Sequence, residues 1–287
     1  MPENRIANQR RLPFWLRLAA FFIIGCGAVT LLFTALLYFG QHSFIYHPRP
    51  YGSDYPYLLP KDGVEIEYKM PFGKQTAFYI PRSDGSPKRI WVAFCGNGSL
   101  ALDWTGLIRD YPQNGDGFLL IDYPGYGKNA GYATIASTRV SADAALHELA
   151  LRLHLDESRI PLCVLGHSLG SAAALDFAVH HRVEKVVLVA PFTSLREEVA
   201  TVVGRYFARV LIENYDNREN LDTIYGGNPQ VRVVIFHGTD DGDIPVRMSR
   251  ALAKQFPKIE FREVADSDHM TVLEKARESM ITTMAHP

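Results

Sequence analysis

One short stretch limits the possible fold more than any other. Ile160 to Ser171 reads IPLCVLGHSLGS and is followed by the helix-forming AAALDFA, Ala172 to Ala178. An apolar run with β-branched members has the pattern of a buried strand. Gly166-His167-Ser168-Leu169-Gly170 then turns sharply, and the alanine-rich run that follows favours a helix with an apolar face. A G-x-S-x-G match is weak by itself and gains meaning when a strand feeds it and a helix leaves it. At such an elbow the serine is held in a strained backbone conformation, with glycines on either side leaving room for strand and helix to approach. Its hydroxyl projects above the strand ends, and the free N–H groups of the helix N-terminus lie behind it. The Leu169 N–H is then placed to donate to a developing oxyanion. The competing reading is a glycine-rich turn in any α/β protein; the nucleophile reading is the one carried forward.

The rest of the chain reads as strands alternating with helices. Strand patterns cover 64–70, 75–80, 89–95, 117–123, 185–190, 231–236 and 260–264, besides the run before Ser168. Helical patterns follow Ser99 to about Tyr111 and cover 140–155, 171–178, 195–212, 245–255 and 270–283. This alternation predicts an α/β fold, a mostly parallel eight-stranded sheet with helices on both faces. Residues 191–230 are longer than a simple connection needs. They are expected to form a small lid beside Ser168, the alternative being a peripheral helix without substrate contact.

The N-terminus differs in kind. Residues 1–17 carry Arg5, Arg10, Arg11 and Arg17 against the single acid Glu3, and residues 18–40 contain no charge. About 20 apolar residues in a helix cross a bilayer, and Trp15 and Tyr38 suit its two interfaces. The basic flank keeps the N-terminus cytoplasmic and places the remainder across the membrane, on the periplasmic side in a bacterium. A cleaved signal would have a shorter apolar core and a small-residue cleavage site. Ile23-Ile24-Gly25-Cys26 resembles a lipobox, but the apolar run continues well past Cys26, as in an uncleaved anchor. Residues 41–62, rich in Pro and Tyr, are expected to be an extended connector hugging the domain at 63–287, because free linkers carry few aromatics. A formal charge of -1 gives no reason to expect a nucleic-acid partner. The three cysteines, Cys26, Cys95 and Cys163, imply no disulfide framework and no metal site. Cys95 and Cys163 lie in apolar strands and are expected to be packed thiols. No cofactor is called for, and oligomeric state is not legible.

A serine hydroxyl needs a base to take its proton, and a histidine base needs an orienting carboxylate. In a doubly wound sheet such groups gather at the C-terminal strand ends. The strand over 231–236 runs into His237-Gly-Thr-Asp240-Asp241-Gly-Asp243, and the last strand runs into Asp266-Ser-Asp268-His269. The chain order Ser, Asp, His is one of the known triad orders. His269 is the candidate base. Asp241 is the preferred acid, with Asp240 and Asp243 as alternatives. His237 is expected to hydrogen-bond beneath the acid loop, His180 and His181 to face a helix C-terminus, and His167 to point away from the site. A second oxyanion donor is expected after the strand over 89–95, where Gly96-Asn97-Gly98 offers the Asn97 N–H. Asn97-Gly98-Ser99 is also a glycosylation sequon. A glycan there would block the site, which favours a bacterial exported domain over an ER-lumenal one.

With these residues assembled, the chain from about Ser43 onward resembles the α/β-hydrolase superfamily, and within it the membrane-anchored α/β-hydrolase-domain serine hydrolases. The similarity rests on Phe44-Ile-Tyr-His-Pro48, Gly96-Asn97-Gly98, Asp122-Tyr-Pro-Gly-Tyr-Gly127, Gly166 to Gly170, His237 to Asp241 with Ile244-Pro245, and Asp268-His269. The resemblance implies Ser168 as nucleophile, Asp241 as acid and His269 as base. Two departures stand out: Cys95 where relatives carry histidine, and Pro124 where arginine is common. The expected activity is hydrolysis of an ester or thioester on a small-molecule or acylated substrate. Alternatives are a peptidase or amidase of the same fold, or a non-catalytic anchored binding protein.

Overall fold

The computed structural model describes residues 13–82 and 85–286. Most of the basic segment 1–17, and Ser83-Asp84 in the turn before the third strand, lie outside the described residues. The chain begins with α1 (Phe14–Ile45), whose apolar stretch is long enough to cross a membrane and is not buried against the protein. At 32 residues it is about 48 Å long. It extends past the apolar run into the expected connector, so residues 41–45 are helical rather than extended. The cause is docking. The Ile212 N–H donates to Gln41 Oε1 at 2.7 Å, and the His42 ring meets the Ala133 carbonyl at 2.6 Å. These contacts hold the last turn of α1 against the domain.

After a short α2 (Tyr55–Leu58), β1 (Val64–Met70) and β2 (Gly73–Pro81) form an antiparallel hairpin. The elements then alternate: β3 (Arg89–Phe94), a 3-10 turn (Ala101–Trp104) with α3 (Thr105–Arg109), β4 (Asp116–Ile121), α4 (Ile135–Arg152), β5 (Leu162–His167), α5 (Leu169–His180) and β6 (Val183–Val189). A cap segment follows, with α6 (Leu195–Val203), a 3-10 turn (Phe207–Val210) and α7 (Asn217–Gly227). The chain closes with β7 (Arg232–Gly238), α8 (Arg247–Gln255), β8 (Glu260–Val264), α9 (Thr271–Lys275) and α10 (Arg277–Ala285). The strand positions agree with the sequence patterns to within about two residues. Two helices are broken that the pattern ran together: 195–212 stops at Gly204, which takes φ +84°, and 270–283 breaks at Ala276. A backbone with positive φ after the last helical residue ends the hydrogen-bond ladder, and glycine adopts it freely.

The eight strands lie in the order β1-β2-β4-β3-β5-β6-β7-β8. β2 is antiparallel to its neighbours, and all pairs from β4 across to β8 are parallel. α4, α5 and α7 pack in one layer, with α8 joined to α7 through Arg218–Gln255 and the stacked rings of Tyr225 and Phe256. On the other face α3 meets α10 through Arg277, which donates to the Gly106 carbonyl and pairs with Asp110 at 2.6 Å. Helices on both faces explain why β4 and β5 are buried along their whole length. Trp91, Phe94, Phe118 and Phe236 are all fully buried, each contributing about 1.5–3 kcal/mol of burial. The strand order reverses at β3, which pairs with β4 on one side and β5 on the other. Ligand crevices in open α/β sheets form at the C-terminal ends of strands flanking such a switch. Here those ends lead into Gly96-Asn97 and into Ser168.

Candidate active site

Ser168 sits between β5 and α5 with φ 56° and ψ -124°, a strained conformation for a non-glycine residue. The strain is held by its surroundings. The Ser168 N–H donates to Val189 O at 2.9 Å, and Ser171 Oγ bonds the carbonyls of Gly166 and Val189 at 3.0 Å. The glycines are required by contact. A Cβ on Gly166 would lie 2.2 Å from the Gly170 carbonyl, and one on Gly170 would lie 2.4 Å from the Phe94 carbonyl. Strand, elbow and helix are therefore closer than any side chain permits.

The acid and base loops leave adjacent parallel strands and are tied together by Thr239 N–H to Val264 O (3.0 Å) and Asp240 N–H to Ser267 O (2.9 Å). Of the three candidate carboxylates, Asp241 meets His269, whose Nδ1–H donates to Asp241 Oδ2 at 2.7 Å. Asp240 is turned to Thr239 Oγ1, and Asp243 gives its N–H to Asp241 Oδ1 at 3.0 Å. Asp241 Oδ1 also accepts the Ile244 N–H at 2.8 Å, and Oδ2 lies 3.2 Å from His237 Nε2. Burial pushes this carboxyl up, but hydrogen bonds from His237, His269 and the Ile244 amide outweigh it and hold it below the usual carboxylate range. His237, fully buried, also bonds Ser249 Oγ (2.6 Å) and the Ile244 carbonyl (2.8 Å), as expected of a group beneath the acid loop. With Nδ1–H committed to Asp241, the neutral His269 ring keeps Nε2 as its basic nitrogen.

Ser168, Leu169, Asn97 and His269 border one cavity of about 390 Å³. Among the described residues the N–H groups of Asn97 and Leu169 donate no hydrogen bond, so both are free to receive an acceptor. Ser168 Oγ likewise has no hydrogen-bond partner among the described residues. Contacts between nucleophile and base often tighten only with substrate in place. The expectation for His180 holds, its ring bonding the Asp176 carbonyl in the last turn of α5, whereas His181 meets Asp143 instead. Cys95 and Cys163 are buried thiols.

One expectation is corrected. His167 does not point away from the site. Its Nε2–H donates to the His269 carbonyl at 2.9 Å, and the two rings lie 4.8 Å apart. A fully desolvated ring beside a second imidazole resists protonation, and the His167 pKa falls to about 4.

Other residues at the site were given no role by the sequence, although His47, Asp122, Tyr123 and Tyr126 lie in the motifs that carry the resemblance. Tyr126 Oη donates to the Asn97 carbonyl at 2.6 Å and accepts the His47 N–H at 2.8 Å, while Tyr123 Oη donates to the Cys95 carbonyl at 2.5 Å. Asn97 Nδ2 donates to the Ile45 carbonyl (3.2 Å), and Arg49 bonds Gly98 O and Asp103 (2.8 Å each). The segment after α1 is thus strapped across the Gly96–Gly98 loop. Asp122, buried and pushed up to about 6 by burial, accepts Tyr51 Oη and the Ala101 N–H at 2.7 Å and anchors that strap from below. Glu198 of α6 also faces the cavity. Its Oε2 is buried with no hydrogen-bond partner among the described residues, and burial raises the group to about 7.

A family model described as serine aminopeptidase S33 matches residues 85–225, which include Asn97 and Ser168 and stop short of Asp241 and His269. An uncharacterized protein of Mycobacterium tuberculosis is 32% identical over 66% of this chain, and the match spans 64% of that protein, under two-thirds of its length. Protein bem46 of Schizosaccharomyces pombe is 26% identical over 76% of this chain and 75% of its own. Among solved structures, an esterase of Pyrococcus furiosus superposes with a TM-score of 0.62 at 13% identity, covering 84% of this chain and 96% of its own. An alpha-beta hydrolase of Vibrio vulnificus gives 0.60 at 17% identity, covering 77% and 81%. The sheet order, the elbow at its centre and these structural matches give the chain an α/β-hydrolase fold.

Proposed function

We propose that the protein is a membrane-anchored serine hydrolase that cleaves carboxylic esters or thioesters. The observation that carries this reading is the 2.7 Å bond from His269 to Asp241, with His269 and the strained Ser168 bordering one cavity. Ser168 Oγ attacks the carbonyl carbon while His269 Nε2 takes its proton, and Asp241 holds the imidazole and offsets its charge. The N–H groups of Asn97 and Leu169 receive the oxyanion. Collapse expels the leaving oxygen or sulfur, which takes the proton from His269. Water then attacks the acyl-enzyme, with His269 as base again, releasing the acid and restoring Ser168.

The anchoring part of the reading rests on α1, with the cytoplasmic N-terminus following from the arginines before it. A second reading, peptidase or amidase, is favoured by the description of the matching family model. Two measurements decide. A fluorophosphonate probe should label the full-length protein and not Ser168→Ala, whose turnover falls on the order of a million-fold; an unlabelled, folded wild type would end the serine-hydrolase proposal. Hydrolysis of a p-nitrophenyl ester against the matching anilide then separates esterase from amidase.

A further inference from the structure

Serine chemistry does not need the wall opposite Ser168, yet that wall is built with care. Phe44 and Ile45 from the last turn of α1, and Val199 and Val202 from α6, line the catalytic cavity. The same four residues also line a second cavity of about 410 Å³ that continues between α1 and the cap. Its other walls include Phe33 and Leu36 from α1, Val203 from α6 and Phe207 from the following 3-10 turn. Gln41 is its one polar lining residue, and both ends of that amide are taken, by the Ile212 N–H and the Tyr38 carbonyl. From Phe33 to Ile45 the groove follows about 18 Å of helix. It offers an apolar molecule an extended path and offers a polar one nothing.

The depth of the groove matters as much as its lining. Phe33 lies inside the uncharged run 18–40, and its ring packs edge-on against Phe207 of the cap at 4.8 Å. If that run lies in hydrocarbon, the cap reaches the level of the last two turns of the span. The cap surface fits such a position: Val202, Tyr206 and Ile212 are 80%, 69% and 62% exposed. Arg205 and Arg209 stand among them with their side chains exposed, able to reach anionic headgroups. In water such a face would be unusual; against a bilayer it is the ordinary surface.

We propose, resting on the serine-hydrolase reading above, that this groove holds the acyl chain of a bilayer lipid ester, which slides in sideways from the membrane and presents its carbonyl at Ser168. The anchor helix is then one wall of the substrate site as well as a tether.

The test uses the full-length protein in vesicles of ether-linked phosphatidylcholine, with p-nitrophenyl laurate and p-nitrophenyl acetate as probes. Leu36→Trp fills the groove from the α1 side and Val203→Trp from the cap side. Each should lower the laurate-to-acetate ratio of kcat/KM at least tenfold, since pocket contacts over even one methylene discriminate by that order. Leu31→Trp, on the same helix but outside the groove and 72% exposed, should leave the ratio unchanged. An unchanged ratio in both groove variants, with Ser168 still labelled by fluorophosphonate, overturns the groove alone. So does an equal change in Leu31→Trp. A shift in melting temperature without a shift in ratio identifies a structural lipid or second apolar partner as the occupant and overturns it too. A wild type that takes no label and cleaves neither ester takes down both proposals together.

Discussion

The two walls of the cavity beside Ser168 are made differently. On the sheet side the groups behind the cavity surface are partnered, while Ser168 Oγ and the Asn97 and Leu169 amides are left open among the described residues. Asp241 receives two amides and lies within reach of two imidazoles, His237 is bonded to Ser249, and the His269 carbonyl receives His167. On the cap side the surface is Phe44, Val199 and Val202, with one carboxyl, Glu198, whose buried oxygen is unpartnered among the described residues. Asp241 and Glu198 are the same chemical group, one buried behind His269 and one on the cavity wall. Burial pushes both up; the donors around Asp241 reverse the shift, and the cap supplies none to Glu198. The difference teaches that burial alone does not set the charge state of a carboxyl: at Asp241 the donors and the imidazole around it outweigh burial, and at Glu198 burial prevails.

The sharpest way to break this comparison is to neutralise each carboxyl. Asp241→Asn should lower kcat on the order of 10⁴-fold by presenting the wrong hydrogen-bonding partner to His269. Glu198→Gln at pH 6, where the wild-type group is already mostly neutral, should change kcat by less than threefold. Comparable losses in the two variants would mean that the cap carboxyl also serves the chemistry. A smaller effect is expected from Tyr126→Phe, which removes the hydroxyl shared by the Asn97 carbonyl and the His47 N–H. Leaving those groups short of a partner costs about 1–3 kcal/mol of stability. If the strap also positions the Asn97 amide, kcat falls roughly tenfold, below the 100-fold or more expected when an oxyanion donor is removed outright, and KM holds. A lower melting temperature with unchanged kcat would show that the strap only supports the loop.

What was legible in the sequence follows the same division. The strands and the elbow were readable because their signals are local: a β-branched run, two glycines at fixed offsets, a helix-forming run. His269 and the Asp240–Asp243 cluster were readable because strand ends place them, but the choice among three carboxylates needed the structure, in which Asp241 is the one that meets His269 and Asp243 gives its amide to Asp241. The cap wall was hidden for a physical reason. Phe44 and Ile45 lie at the end of an apolar helix, and nothing in the sequence separates a lipid-facing residue there from one that lines a cavity. Glu198 looks like any acid in the first turn of an amphipathic helix. His167 was misread because its partner is a backbone carbonyl 102 positions away, and a hydrogen bond of that span leaves no local trace.

The smallest predicted effect bears most directly on Glu198. Its folded-state pKa of about 7 lies above the ordinary glutamate value of 4.5. Between those two values the native state keeps a proton that the unfolded chain has released. Stability from this group is therefore complete below about pH 4.5 and declines as pH rises to about 7. Glu198→Gln removes the decline, so the variant's melting temperature should gain on wild type from pH 5 to pH 8. The gain is limited to about 2 kcal/mol because the side chain is partly exposed. Arg247, Asp241, Asp243 and His269 are the ionisable groups that act on it, with Arg247 and His269 opposing the shift and the two aspartates adding to it. The same ionisation places a charge on an otherwise apolar wall. For p-nitrophenyl laurate, KM of the wild type should rise about threefold between pH 6 and pH 8 and stay level in Glu198→Gln, a small fraction of the several kcal/mol that burying an unpaired charge can cost. Melting curves that run parallel over this range, with matching KM profiles, would mean that Glu198 finds a donor in solution and that the two walls are less different than their hydrogen bonds indicate.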